Sequence, residues 1–244
     1  MMQHITKVGH ALVLLAIVLA ASCGCQMTRS IHALPATKET IPNITGWWAD
    51  PDDEDQTPVW LEPETDEQGF VHIVMRYVDE MAPPSREDVL ARRSLETYAT
   101  ILTVHPVSRG YIVQITPDAS RAEELFQGPH ALNIMLVMPL AMHSHVEPAD
   151  EACSRLTLRS LSSAWVAKEV EAGRTAGEVE RGQFETVSVL IFNQPDDQMA
   201  MFERALKDEA NAWDEPTEMV KLSDEEVGKR YDAWRARLKE VQGE

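Results

Sequence analysis

Two histidines that alternate along a predicted strand are the residues best placed for chemistry in this chain. His143 and His145 flank Ser144, and alternate residues of a strand face the same side of a sheet. Two imidazoles on one side can bind a transition metal if the fold supplies a third ligand. Four other residues are candidates for the third metal ligand, and the spacing does not select among them: His72, His105, His130 and Glu147. The alternative is that both histidines lie on a solvated face where the strand emerges.

Three methionines near this pair allow two interpretations. Met135, Met138 and Met142 precede the histidines within one apolar run. Thioether sulfur is a soft ligand that suits copper. Methionine is also a common filler of irregular apolar cores, because its unbranched side chain adapts to gaps. The second interpretation makes these residues part of the lining of an apolar cavity.

The chain carries no other signature of catalysis. It contains no Gly-x-Ser-x-Gly elbow and no glycine-rich phosphate loop. Cys153 has no histidine beside it in sequence, and the acidic pairs Asp52-Asp53 and Asp196-Asp197 are typical of turns and helix starts. We therefore assign no catalytic residue and no cofactor, and the sequence favours a non-enzymatic role.

The first 25 residues predict where the protein works. Lys7 precedes an apolar run from Ala11 to Ala21, which is shorter than the roughly 20 residues that span a bilayer and is typical of a secretory signal peptide. The stretch Leu19-Ala20-Ala21-Ser22-Cys23 resembles the lipobox of bacterial lipoproteins, in which a cysteine after small residues is acylated. The resemblance implies lipidation of Cys23 and anchoring in a membrane of the cell envelope. The alternative is ordinary secretory cleavage, which leaves Cys23 as a plain thiol.

The chain divides into four predicted segments. Residues 1–22 are the signal peptide, 23–45 a polar tether, 46–222 a β-rich barrel-like domain and 223–244 an amphipathic helix. An aspartate after the lipidated cysteine commonly retains lipoproteins in the inner membrane of Gram-negative bacteria. The glycine found there therefore favours the outer membrane.

The other two cysteines leave two arrangements open. Cys25 and Cys153 form one disulfide in an oxidising periplasm, or they stay apart. In the second arrangement Cys25 is a further candidate for acylation and Cys153 is a small buried side chain.

The charge balance argues against nucleic acid as a partner. The chain has 40 acidic and 22 basic residues and a formal net charge of −18 at pH 7. Nucleic-acid affinity comes mainly from lysine and arginine side chains that neutralise phosphates. The acidic excess instead keeps an exposed, tethered domain soluble.

Alternating apolar residues predict an antiparallel sheet. Val71, Ile73, Met75 and Tyr77 share one face of a strand, which we predict to be its core face. Gly110 lies at the turn of a predicted hairpin, where glycine supplies a positive φ. The predicted strands are the ranges 58–62, 70–78, 95–105, 111–116, 131–146, 155–160 and 184–192.

Capping signals predict the helices. Ser162 precedes one helix, Pro195 begins another, and the capping box Ser223-Asp-Glu-Glu226 starts the last one. From Val227 onward, apolar residues of the last helix recur at spacings of four, three, four and three, so it is amphipathic. Its apolar stripe either contacts a partner protein or packs across the sheet of its own chain. The predicted fold class is α+β, an antiparallel β meander curled into a barrel-like or half-barrel body with C-terminal helices.

The order of these segments resembles a group of uncharacterised bacterial envelope lipoproteins. Members share a Gly-x-Trp-like opening, here Gly46-Trp47-Trp48, a strand meander and a strand of the ALNIMLVMPLAMHSHVE type, which covers 131–147. They end with a strand that runs into a helix of the NQPDDQMAMFERALKDEANAW type, here 193–213. The resemblance covers about residues 46–222 and implies a barrel-like envelope domain without an assigned activity.

The same Gly-x-Trp opening also resembles that of lipocalins, small barrels that bind apolar ligands. Alternatively, the two tryptophans only pack the first strand into the core. Together these features predict a lipid-anchored envelope protein that binds an apolar ligand or contacts another envelope protein. The residues expected to line an apolar cavity are Trp47, Trp48, Trp60, Met135, Met138, Met142 and Trp165. The alternative function is a metal-dependent envelope enzyme that uses His143 and His145.

Overall fold

A computed structural model describes residues 28–53, 57–79, 82–97, 100–117, 141–182 and 187–242. The strands are β1 (Thr28–Ser30), β2 (Gly46–Ala49), β3 (Val59–Thr65), β4 (Val71–Tyr77), β5 (Glu96–Thr97), β6 (Thr100–Pro106), β7 (Tyr111–Pro117), β8 (Met142–Pro148), β9 (Arg155–Ser160), β10 (Gly177–Arg181), β11 (Val187–Ile191) and β12 (Thr217–Leu222). The helices are α1 (Arg86–Leu90), α2 (Ser163–Glu171), α3 (Pro195–Lys207), α4 (Glu209–Ala212) and α5 (Asp224–Gln242).

Eight strands close into an antiparallel barrel. Their order around the barrel is β2, β3, β4, β6, β7, β8, β9 and β12, and β12 pairs again with β2. The short strand β5 pairs with β4 and extends the sheet beside the barrel. The predicted α+β fold with a barrel-like body is therefore confirmed, and the barrel is closed.

Strand β12 completes the barrel. Met219 lies opposite Leu156 of β9, and Leu222 lies opposite Trp47 of β2. Between β9 and β12 the chain leaves the barrel to form β10, β11 and the helices α2 to α4. The sequence patterns predict no strand at Thr217–Leu222, because its apolar residues do not alternate strictly and helix signals lie on both sides.

The pleat of the strands sorts side chains between the barrel interior and its outer surface. Ile73 and Met75 of β4 belong to the interior cluster, as the alternation predicts. Ile73 lies opposite Leu102 of β6, and Met75 lies opposite Leu61 of β3. Because inward residues of neighbouring strands meet in register, they form layers that fill the barrel.

The chain that precedes the barrel packs onto it. Strand β1 runs parallel to β11, and Leu34, Ile41 and Ile44 are buried. Residues 28–45, which belong to the predicted tether, therefore form part of the folded body. Apolar residues spaced along an otherwise polar segment explain this packing, because each one reaches an apolar cluster.

Hydrogen bonds place this segment at one end of the barrel. The Val71 amide donates to the Thr37 carbonyl over 2.7 Å, and Asn43 Nδ2 donates to the Glu151 carbonyl over 2.8 Å. These contacts lie where β4 and β9 begin. The segment 31–45 thus covers that end of the barrel.

A second layer lies against the outer face of the barrel. Strands β1, β11 and β10 form a three-stranded sheet, and α2 and α3 pack with it. Ile112 of β7 joins the apolar cluster of this layer, together with Trp165, Phe202 and Trp213. The outward side chains of the barrel strands beneath the layer are consequently buried.

Helix α5 packs across another part of the barrel surface. Its residues Val227, Tyr231 and Trp234 are buried in one cluster with Trp47 and Trp60. The two barrel tryptophans meet edge to face, with ring centroids 5.5 Å apart. The predicted apolar stripe of this helix is therefore used within the chain.

The predicted capping box begins α5. The Glu226 amide donates to Ser223 Oγ over 3.3 Å, and the Ser223 amide donates to Glu226 Oε2 over 2.8 Å. This reciprocal pair satisfies backbone donors at the first turn and confirms the predicted start of the helix. In the described part of the chain, no helix combines the length and apolar character needed to cross a membrane.

Candidate ligand cavity inside the barrel

All eight barrel strands contribute side chains to the interior. On β7, Val113 lies opposite Val104 of β6 and Ser144 of β8. Farther round the barrel, Val146 of β8 lies opposite Leu158 of β9. The interior is thus built mainly from branched aliphatic residues in register.

These side chains leave a cavity of about 70 Å³. Among the described residues, its wall is apolar except for one serine: Ile41, Ile44, Val59, Leu61, Ile73, Met75, Leu102, Val113, Ile115, Ser144, Val146, Leu156, Leu158 and Met219. An eight-stranded barrel is wide enough to be filled by side chains or to hold one small ligand. Because a dry apolar void of about 150 Å³ admits benzene, this cavity accepts a smaller apolar group without rearrangement.

Parts of the wall are suited to adjustment. Met75 and Met219 line the cavity from β4 and β12. Methionine has three rotatable bonds and no branch, so it adapts to the shape of its neighbours. Ile41 and Ile44 contribute from the segment 31–45 rather than from a strand. A ligand larger than the cavity would therefore meet the adaptable side chains of Met75 and Met219.

Ser144 is the polar exception in this wall. The residue is only 4% exposed, and its neighbours His143 and His145 face the opposite side of β8. Its hydroxyl lies at the cavity surface rather than among the fully enclosed polar atoms that lack a hydrogen-bond partner. No charged side chain lines the cavity within the described part of the chain.

The structure distributes the predicted lining residues over several environments. Trp48 lies in the interior cluster, and Met142 packs against that cluster. Trp47 and Trp60 lie on the outer surface under α5, whereas Trp165 lies in the second layer. None of these five belongs to the cavity wall itself. Met135 and Met138 fall outside the described residues.

Comparison with known proteins adds no relative from which a ligand can be transferred. No family model, no curated protein and no solved structure matches the chain. The barrel that the resemblance to envelope lipoproteins and to lipocalins implies is present. Membership of either group stays a prediction.

His143 and His145 lie on the outer side of β8, beneath the second layer. The Nε2 atom of His143 donates to Gln114 Oε1 over 3.2 Å, and its ring centroid lies 5.0 Å from that of Phe202. The Nε2 atom of His145 donates to the Arg109 carbonyl over 2.6 Å. Both residues are buried, so the alternative that they lie on a solvated face is wrong.

A buried polar network surrounds His143. The Leu34 amide donates to Gln114 Oε1 over 2.6 Å, and Gln114 Nε2 donates to Thr103 Oγ1 over 3.2 Å. Thr103 Oγ1 lies 3.1 Å from His105 Nε2. The network joins three barrel strands to the segment that precedes the barrel, and it satisfies polar groups that would otherwise be costly to bury.

Burial keeps these imidazoles neutral. Desolvation, with a contribution from the nearby His105, lowers the pKa of His143 to about 3. Desolvation also lowers the pKa of His105 to about 4. The pKa of His145 is lowered by burial, although its bond to the Arg109 carbonyl opposes that change. All three are neutral at physiological pH.

The two predicted metal ligands have no third partner in the described part of the chain. There, no three His, Cys, Asp or Glu side chains come together as a group that could hold a metal. Among the candidates, His72 lies 3.9 Å from Glu64, and Glu147 accepts from Arg109 over 3.0 Å. His130 falls outside the described residues. The metal-enzyme hypothesis stays a prediction without added support.

Cys153 is the free cysteine of the described residues. It is buried in the interior cluster just before β9, and burial raises the pKa of its thiol. Such a thiol is poorly reactive, because the thiolate is the nucleophilic form. Cys23 and Cys25 fall outside the described residues, so lipidation and the Cys25–Cys153 disulfide stay predictions.

The sequence predicts a role for His143 and His145 but none for Ser144 between them. Strand alternation was sufficient to find it, because Ser144 shares its face with Met142 and Val146. A small polar residue on the apolar face of a strand is unusual enough to be noted. The sequence does not distinguish the remaining wall residues from other aliphatic residues, because aliphatic residues occupy most strands of the chain.

Proposed function

We propose that the protein holds a small apolar ligand inside its barrel. The observation that carries this proposal is the apolar cavity within a closed eight-stranded barrel. Small-molecule sites are concave and mostly apolar, with few polar groups that fix orientation. The wall described above has this composition.

The size of the cavity limits the first choice of ligand. Its volume of about 70 Å³ suits a short aliphatic group, and a longer chain requires Met75 and Met219 to move. A narrow, unbranched molecule meets both conditions better than a rigid ring system. We therefore propose a short aliphatic molecule, or the aliphatic end of a larger one, as the ligand.

Methionine methyl resonances provide a direct test. Met75 and Met219 face the cavity, so their ¹³C-methyl signals, assigned through Met75→Leu and Met219→Leu, report on its occupant. Titration with n-hexane is expected to shift these two signals in a saturable way. Signals of methionines away from the cavity, such as Met201 in the second layer, should stay in place.

A blocked variant makes the test specific. Val113→Phe places a large side chain in the cavity wall and is expected to abolish the response to n-hexane. Ile31→Phe introduces the same residue at an exposed position outside the barrel and should leave binding intact. Circular dichroism confirms that both variants fold. Absence of any shift at Met75 and Met219 in the native protein would contradict the proposal.

We further propose that the barrel is anchored in the cell envelope through a lipid on Cys23. The signal-like segment and the lipobox-like stretch before Cys23 support this part of the proposal. The mass of the mature N-terminal peptide from membranes is expected to show acylation. Cys23→Ser should abolish that mass and release the protein from the membrane. An unmodified N-terminus on soluble protein would remove the anchor and leave the ligand proposal standing.

A further inference from the structure

We infer that the cavity selects aliphatic ligands that carry one neutral oxygen function, and that Ser144 forms the hydrogen bond to this oxygen. Alcohols, ketones and esters belong to this class. The inference rests on the proposed function and names the chemical class of its ligand.

The position of Ser144 carries the inference. It lies near the middle of β8, opposite Val113 of β7, and it is a wall residue of the cavity. The residue is only 4% exposed, and its hydroxyl lies at the cavity surface rather than among the fully enclosed polar atoms that lack a partner. Buried polar groups in native proteins almost always have a hydrogen-bond partner. A ligand oxygen inside the cavity would lie within reach of this hydroxyl and could pair with it.

Water is a poor substitute for that oxygen. A buried water typically makes two to four hydrogen bonds. Ser144 offers one site, and the other described wall residues have apolar side chains. The backbone groups of β8 are engaged in its ladders with β7 and β9. A single oxygen attached to an aliphatic chain suits this environment better, because its apolar part contacts the remaining wall.

Charge restricts the ligand to a neutral group. A carboxylate or an ammonium group loses a large hydration energy when it enters an apolar site without an opposite charge. Within the described residues, the wall contains no lysine, arginine, histidine, aspartate or glutamate. Ionised fatty acids and amines are therefore excluded, whereas neutral oxygen compounds are accepted.

Three matched probes test the selection. 1-Pentanol and n-hexane differ by a hydroxyl in place of a methyl group, and pentanoate carries a full charge at pH 8. Binding is followed through the methyl signals of Met75 and Met219 in the native protein and in Ser144→Ala. We expect 1-pentanol to lose about 3- to 10-fold in affinity in this variant, which is the range for one neutral hydrogen bond. The affinity for n-hexane should be unchanged or slightly higher, and pentanoate should not bind.

Ser160→Ala is the matched control. Ser160 lies opposite Ser144 on β9 but is not a wall residue of the cavity. Its replacement should leave the affinity for 1-pentanol unchanged. Equal loss in both variants, no loss in Ser144→Ala, or binding of pentanoate would overturn the inference while the ligand function stands. Failure of both n-hexane and 1-pentanol to bind the native protein would reject the ligand function itself.

Discussion

Acid sensitivity of the buried histidines is a quantitative consequence of this fold. His143 and His105 stay neutral in the folded protein, because burial lowers the pKa of His143 to about 3 and that of His105 to about 4. In the unfolded chain each imidazole regains its ordinary pKa of about 6.5. Below that pH the unfolded chain binds protons that the folded protein does not bind. The stability that these two neutral imidazoles contribute is therefore fully present above about pH 6.5. It is lost as the pH falls from 6.5 toward 3, because the unfolded chain then gains protons that the folded protein does not.

The magnitude follows from the difference between the two pKa values. Each unit of difference corresponds to about 1.4 kcal/mol. Between pH 8 and pH 5 the unfolded imidazole becomes almost fully protonated, so each histidine removes about 2 kcal/mol from the free energy of unfolding. The two together remove about 4 kcal/mol over this interval if they act independently. That is a large part of the roughly 5–15 kcal/mol by which most domains are stable.

Urea unfolding at pH 8 and pH 5 measures this effect. In His143→Gln the titrating imidazole is gone, so its stability deficit relative to the native protein should be about 2 kcal/mol smaller at pH 5 than at pH 8. Acidic groups affect both proteins alike and cancel in this difference. An example is Glu209, whose pKa is held at about 2 by Arg109 and Arg159.

Phe202→Leu is the control for this experiment. It removes the ring that contacts His143 and keeps the imidazole. Its stability deficit should be nearly the same at both pH values. If the deficit of His143→Gln is equally independent of pH, His143 protonates normally in the folded protein and the reasoning is refuted.

Three further substitutions test local features of the fold by thermal or urea unfolding. Gly110→Ala should destabilise by about 1–3 kcal/mol, because φ is +73° and the new Cβ would lie 2.6 Å from the Val146 carbonyl oxygen; an unchanged midpoint would contradict this. Gly228→Ala should be neutral or stabilise by up to about 1 kcal/mol, since alanine favours the helix and the new Cβ meets only the movable end of the Arg86 side chain. A loss as large as that of Gly110→Ala would show that Arg86 cannot move. Ser223→Ala should cost about 1 kcal/mol through the lost cap of α5, and it should leave the barrel strands intact by circular dichroism.

Local signals explain why much of the fold was predictable. The inward face of β4 follows from its alternation, and the hairpin turn at Gly110 follows from the glycine between two apolar runs. The starts of α2, α3 and α5 follow from Ser162, Pro195 and Ser223. Each of these features is encoded within a few neighbouring residues.

Features that depend on distant partners escaped prediction. Strand β12 is stabilised by β2 and β9, which lie far away in sequence. Strand β1 is short, and its pairing with β11 joins positions about 160 residues apart, for example Thr28 with Val189. Neither segment has a strong pattern of its own, because tertiary pairing determines its structure.

The cavity shows a different limit of sequence reasoning. The sequence predicts that Trp47 and Trp48 both line the cavity, yet adjacent residues of a strand face opposite sides. Trp48 faces inward, where its Nε1 donates to the Ile44 carbonyl over 2.8 Å, and Trp47 contacts α5 outside. Large side chains tend to fill space rather than enclose it. The wall instead consists mainly of medium-sized aliphatic residues. Such residues are common in the sequence, so the ones that line the cavity cannot be identified from the sequence alone.

The segment that precedes the barrel links the two parts of the proposed function. If Cys23 carries a lipid, the anchor lies five positions before Thr28, the first residue of β1. Five residues reach at most about 17 Å, so the barrel would stay close to the membrane surface. The same segment contributes Ile41 and Ile44 to the cavity wall. Anchor and cavity would then be joined by one continuous stretch of chain, and an apolar ligand released from the membrane would have only a short distance to travel.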